Sequence, residues 1–89
     1  MAKRDRLKVI YDILRVIQKH NNSIKPTPLL RYSNLSSQSF IEYVEELESK
    51  DMIRKIKVKG REHITLTDKG FNYLEKYSSI LGFIEEFEL

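Results

Sequence analysis

Apolar residues recur along this chain in a helical rhythm that gives way, once, to an alternating one. Leu7, Ile10, Leu14 and Ile17 fall on one helical face, and Val9, Ile13 and Val16 form a second stripe beside it. The pattern predicts a helix over 3–19, with an apolar arc wide enough to pack on two sides. His20-Asn21-Asn22-Ser23 is a run of turn formers that ends it. Ile24-Lys25 reads as a very short strand. Thr27-Pro28 places a capping residue before a proline, which predicts a short helix over 28–33. Asn34-Leu35-Ser36 then makes a tight turn, with Leu35 plugging the core and Ser36 capping the next helix. That helix is expected over 37–50. Phe40, Val44 and Leu47 point inward, Ile41 lies at the edge, and Gln38, Ser39, Glu42, Glu45, Glu46 and Ser49 point outward.

The alternating rhythm occupies 53–66. Ile56 and Val58 alternate with Lys55, Lys57 and Lys59, and Ile64 and Leu66 alternate with His63 and Thr65. Gly60 between the runs predicts a β-hairpin. Parity pairs Ile56 with Ile64 and Val58 with Glu62 across a three-residue loop, Lys59-Gly60-Arg61. Lys55, Lys57 and His63 are then expected on the outer face. Thr67 caps the last helix and Asp68 suits its positive N-terminal end. Phe71 and Leu74 are expected to complete the core. Beyond them Tyr73, Tyr77, Ile80, Ile84 and Phe87 follow the 4-3-4-3 spacing of a coiled-coil seam. A second seam through Leu74, Tyr77, Leu81 and Ile84 fits nearly as well. Gly82 lowers helix stability there by about 1 kcal/mol relative to Ala.

At 89 residues the chain is one small domain, large enough to fold but helped by dimerisation. It has no cysteine, which excludes disulfides, thiol chemistry and cysteine-type metal centres. His20 and His63 are far apart in sequence, so no metal or other cofactor is expected. No apolar run approaches membrane-span length, and a soluble, cytoplasmic protein is expected. The net charge of +3 hides segregation: residues 1–41 total +6, 42–52 total −4, 53–63 total +4 and 64–89 total −3. Basic blocks flanking an acidic one suggest a polyanion partner. The three glycines form no phosphate loop, and the glutamates of the third helix lie on a convex face. An enzyme with a small-molecule substrate is therefore not expected.

The order helix, short strand, helix, turn, helix, hairpin, helix is mainly α with a small β-hairpin. It predicts a winged helix-turn-helix with an appended C-terminal helix. The expected division is a winged unit over 1–66 and a core-completing, dimerising helix over 67–89. Several stretches resemble a known family. They are Leu7-Lys8-Val9-Ile10-Tyr11-Asp12-Ile13-Leu14 after Ala2-Lys3-Arg4, the turn Arg31-Tyr32-Ser33-Asn34-Leu35-Ser36, and Leu47…Asp51-Met52-Ile53. The run Ile64-Thr65-Leu66-Thr67-Asp68-Lys69-Gly70, followed by Tyr73-Leu74-Glu75-Lys76-Tyr77, completes the set. Over nearly the whole chain these are similar to the small archaeal winged-helix proteins of the Sulfolobus ten-kilodalton "ten a" type. The resemblance implies a homodimer joined by an antiparallel coiled coil of the last helices. It also implies binding to double-stranded DNA in archaeal chromatin or transcription regulation, hence a nucleoid-associated protein.

The candidate contacts follow. On the recognition helix they are Ser36, Ser37, Gln38, Ser39 and Tyr43, and on the wing Lys55, Lys57, Lys59, Arg61 and His63. Lys3, Arg4 and Arg6 form a basic arm, and Lys25 and Arg31 serve as phosphate clamps. Tyr73, Tyr77, Ile80, Leu81, Ile84 and Phe87 form the dimer seam. The first helix's wide apolar arc offers the tail a place to dock. Glu42, Glu45 and Glu46 oppose phosphates, so only the first turn of the third helix is expected at the DNA. Two other readings stay open: a winged-helix protein–protein interaction module without DNA binding, and a repressor with an apolar effector pocket.

Overall fold

Local polar contacts set most of the helix starts in the computed structural model, which describes residues 5–89. In α1 (Arg6–Lys19) the Asp5 carboxylate accepts from the Lys8 amide at 2.8 Å. In α3 (Ser37–Ser49) Ser36 Oγ accepts from the Ser39 amide at 3.2 Å. In α4 (Asp68–Glu86) Thr67 Oγ1 accepts from the Gly70 amide at 3.1 Å. Each bond satisfies an amide that a helix start otherwise leaves open. The helix α2 (Pro26–Ser33) differs from expectation. Thr27 does not cap it: the helix begins at Pro26, with Lys25 as N-cap and no capping side chain. Pro26 brings a helix-ready φ, and Pro26 and Pro28 carry no N–H, so two of the amides a helix start leaves open are missing here.

Asn34 closes α2 in the left-handed conformation, φ +57°. Leu35 packs against the core and Ser36 starts α3, so the turn is built as expected. The core gathers Val9, Ile10, Ile13, Leu14 and Ile17 of α1, Leu29 of α2, and Phe40, Val44 and Leu47 of α3. Ile24, Ile53, Ile64, Leu66 and Leu74 complete it. Two expected core residues are not in it. Leu7 lies in the first turn of α1, past the end of the packed region, and is 53% exposed. Phe71 is also exposed, because α4 meets the core through Gly70 and Leu74 instead.

The hairpin joins β1 (Ile53–Val58) to β2 (Arg61–Leu66) as an antiparallel pair. Ile24 adds a one-residue bridge to Ile64 through paired backbone bonds of 3.2 and 2.8 Å. The register departs from the expected one. Ile56 pairs with His63, Val58 with Arg61, Lys57 with Glu62 and Ile53 with Leu66. The loop is the two-residue Lys59-Gly60, both with positive φ, +52° and +78°. Such a turn matches strand twist, which a three-residue loop would have met by a bulge. The shift turns Ile53, Lys55, Lys57, Glu62, Ile64 and Leu66 to the core side. Arg54, Ile56, Val58, Arg61, His63 and Thr65 face outward. Only Ile53, Ile64 and Leu66 are buried, and Ile56 and Val58 stand exposed on the wing.

Helix α4 runs without a break through Gly82. Its first half packs on α1, where the Tyr11 and Tyr77 rings lie 4.8 Å apart. Beyond Tyr77 every residue is exposed, so the tail does not dock on α1 as expected. It projects, which stretches the molecule to 48 × 27 × 22 Å.

Candidate nucleic-acid interface

α3 is amphipathic: Phe40, Val44 and Leu47 are buried, which turns Gln38, Glu42 and Glu45 to solvent. Ser37 and Gln38 are exposed in the first turn, with Ser39 half-buried behind them. Ser36 Oγ is engaged as the cap acceptor. Tyr43 packs against the core and, with Arg6, Ser39, Glu42 and Glu46, lines the α1 side of the helix. On the other side Ile41 and Glu45 face a trench shared with Lys55 and Glu62 of the hairpin. The four glutamates of α3 divide. Glu46 pairs with Arg6 and, at 3.2 Å, with Lys50. Glu48 lies 3.7 Å from Lys55. Glu42 and Glu45 have no ion pair among the described residues.

The wing places its cations in two sets. Arg54, Arg61 and His63 share the outward face with Ile56 and Val58. Lys55 and Lys57 share the other face, Lys57 opposite Glu62. Lys59 stands exposed at the tip beside Gly60. His63 Nδ1 lies 3.1 Å from the Arg61 carbonyl. Sequence reasoning missed Arg54 as an outward wing cation, because the register, which decides its face, was offset by one.

The remaining basic candidates are scattered. Lys3 and Arg4 lie outside the described residues. Arg6 is the first residue of α1, tied to Glu46, rather than part of a free arm. Lys25 is exposed at the start of α2. Arg31 is exposed, its guanidinium 5.8 Å from the Tyr32 ring, which in turn sits 5.2 Å from His20. The exposed Tyr32 beside two basic residues was also missed; its place in the Arg31-Tyr32 pair is the signal that could have found it.

The expected seam splits in two. Tyr73 and Tyr77 stack 6.0 Å apart and lie against α1, with Tyr73 Oη donating to the Leu7 carbonyl at 2.7 Å. Burial, then the neighbouring Tyr77, pushes the Tyr73 phenol up to about 12. Ile80, Leu81, Ile84 and Phe87 are exposed, and Phe83, absent from the expected set, is 56% exposed and packs its ring 4.8 Å from Phe87. An apolar groove of about 300 Å³ leads to this stripe, lined by Leu7, Met52, Tyr73, Tyr77 and Ile80, with Lys69 and Lys76 beside it. Among the described residues no group of His, Asp or Glu is placed to hold a metal ion. No helix there is long and apolar enough to cross a membrane.

Known proteins share this architecture. The chain is 32% identical over 83 residues to an uncharacterized protein of Methanocaldococcus jannaschii. That match takes in 93% of this chain but only 36% of the relative, so the chain spans about a third of its length. Among solved structures, Sso10a-2, a DNA-binding protein from Sulfolobus solfataricus, superposes with a TM-score of 0.77 at 15% identity. It matches 96% of this chain and 86% of its own. The oxidized form of MarR from E. coli gives 0.75 at 17% identity, over 84% of this chain and 54% of that one. A winged-helix DNA-binding protein from STIV gives 0.72 at 17%, over 80% and 84%. These likenesses establish the fold, in line with the resemblance drawn from the sequence. The winged helix-turn-helix family model matches residues 3–85, and with a helix-turn-helix in α2–α3 and a wing in β1–β2 the chain belongs to that family.

Proposed function

We propose that the chain binds double-stranded DNA as a homodimer and acts as a transcription regulator or chromatin-associated protein. α3 enters the major groove, which admits a helix, with Ser37, Gln38 and Ser39 of its first turn leading. The wing lies along the flanking backbone. The observation that carries this reading is the wing itself. Arg54, Lys59 and Arg61 project from a short hairpin held beside α3 by Ile53 and Ile64. Any polar residues would keep such a hairpin soluble; a row of cations adds attraction to phosphate. Lys25 and Arg31, exposed at the two ends of α2, add positive charge to the helix-turn-helix. The DNA-binding descriptions of the structural relatives from Sulfolobus solfataricus and STIV support the same reading.

Dimerisation through α4 rests on its apolar end, which a lone chain leaves in water. The other reading, a winged helix that docks on a protein, is favoured by one observation: Glu42 and Glu45 point outward with no ion pair among the described residues. Fluorescence anisotropy with a mixed-sequence duplex separates the two. DNA binding predicts a steep fall of affinity with salt, about −0.9 in the log–log slope per phosphate contacted. Replacing Arg54, Lys59 and Arg61 by alanine together flattens that slope and weakens all duplexes alike. Absence of binding at low salt overturns the proposal in favour of the protein partner.

A further inference from the structure

The outward row of α3 is acidic and apolar rather than basic. Gln38, Glu42 and Glu45 follow one another at i, i+4 and i+7, and Ile41 flanks them, half exposed at 50%. The helix carries no Lys or Arg. Its two other glutamates pair with Arg6, Lys50 and Lys55, whereas Glu42 and Glu45 form no ion pair among the described residues, Arg6 and Lys55 only lining the hollows beside them. A face of this kind cannot rest on phosphate. The major groove is about 12 Å wide and about 8.5 Å deep, so a side chain on its floor lies about 10 Å from each phosphate row, comparable to the Debye length of about 10 Å at about 0.1 M salt. Each carboxylate is therefore repelled on any duplex unless a base edge compensates it. The base-edge group suited to that task is the N4 amino group of cytosine, which donates to Glu. Ile41 has a matching target in the thymine methyl, and Gln38 in adenine.

Resting on the DNA-binding reading above, we infer that Glu42, Glu45 and Ile41 are specificity-determining residues that confine tight binding to sites offering cytosine and thymine in the groove that α3 enters. The wing attracts every duplex, and α3 rejects most of them. Glu42 and Glu45 act by repulsion at wrong sequences as much as by contact at the right one. This division of labour suits an operator-reading regulator better than a protein that coats DNA without regard to sequence.

The full chain is used to select duplexes from a random pool, and the enriched duplex is compared with a scrambled one of equal length. The wild type is expected to prefer the selected duplex by about a hundredfold, roughly tenfold for each of two contacts. Glu42→Gln with Glu45→Gln is expected to bind the scrambled duplex more tightly and to lose most of that preference. Both positions are exposed, and circular dichroism confirms an unchanged fold. Replacing every thymine by uracil removes only the methyl groups; it is expected to weaken the wild type about tenfold and Ile41→Ala much less. A preference unchanged in the double Gln variant overturns the role of the two glutamates. Equal binding of thymine and uracil duplexes by the wild type overturns that of Ile41. Both results leave general DNA binding intact, whereas a wild type that binds no duplex at low salt overturns the underlying reading itself.

Discussion

Gly70 and Gly82 lie in the same helix and meet opposite surroundings. A Cβ on Gly70 would stand 2.4 Å from the Met52 carbonyl oxygen. That oxygen also accepts the Thr67 amide at 3.1 Å, so it cannot retreat without loosening the start of α4. Around Gly82 nothing lies within 4 Å. Gly70→Ala is expected to cost about 2–3 kcal/mol through overpacking, whereas Gly82→Ala is expected to gain about 1 kcal/mol from helix propensity. Urea unfolding of the two variants checks this, with midpoints displaced in opposite directions. The sequence shows two glycines in one helical pattern and gives no sign of which is required. The requirement comes from the α3–β1 loop, where Asp51 takes a φ of +61° and brings the Met52 backbone against α4. Asn34 was readable for the opposite reason. Its left-handed turn is a local preference that the residue type announces by itself.

The four helices were legible because burial follows a 3.6-residue period that the chain writes plainly. The hairpin was legible as a hairpin but not in its register. Ile56 and Val58 imitate a core stripe, yet they face solvent. The usual signal for a two-residue turn is Asn-Gly or Asp-Gly, and here the first position is Lys59. A lysine at φ +52° is conformationally unfavourable by about 1 kcal/mol. What the residue adds at the tip of the wing is its charge. Lys59→Asn is therefore expected to raise stability by up to about 1 kcal/mol while lowering DNA affinity and flattening the salt slope by about 0.9. Urea unfolding and anisotropy on the same variant test the pair of effects. A gain in stability with unchanged DNA affinity would assign Lys59 no part in binding. The recognition helix shows the same division between what is local and what is not. Its outward row was visible from periodicity, but the neutralisation of Glu46 by Arg6 joins residues forty positions apart and only the folded chain brings them together.

At the scale of the whole molecule, α4 divides the chain into a packed body and a projecting apolar end. Leu74 closes the core, and Tyr73 and Tyr77 lie on α1; from Ser78 onward every residue of the helix is exposed. An antiparallel pair of α4 helices would set Phe83 and Phe87 of one copy against Tyr77 and Tyr73 of the other. It would also bring Glu85 level with Glu75 and Lys76, and Glu88 within one turn of Lys69. A parallel pair would instead stack the glutamates of both copies on one another, so charge favours the antiparallel arrangement. Since Ile80 and Ile84 are exposed, replacing both by aspartate should break the pair without emptying the core. Ile80→Asp with Ile84→Asp is expected to give a folded monomer of half the sedimenting mass, with helical content retained outside the tail. Each body would then carry one recognition helix and one wing. Its salt slope should fall toward half, because half the phosphate contacts are made per binding event. Affinity should fall more steeply than the slope, since two linked bodies bind the second half-site at high effective concentration. A variant that stays a dimer at unchanged mass would move the interface away from α4. A monomer that keeps the full slope would mean that one wing already makes all the contacts.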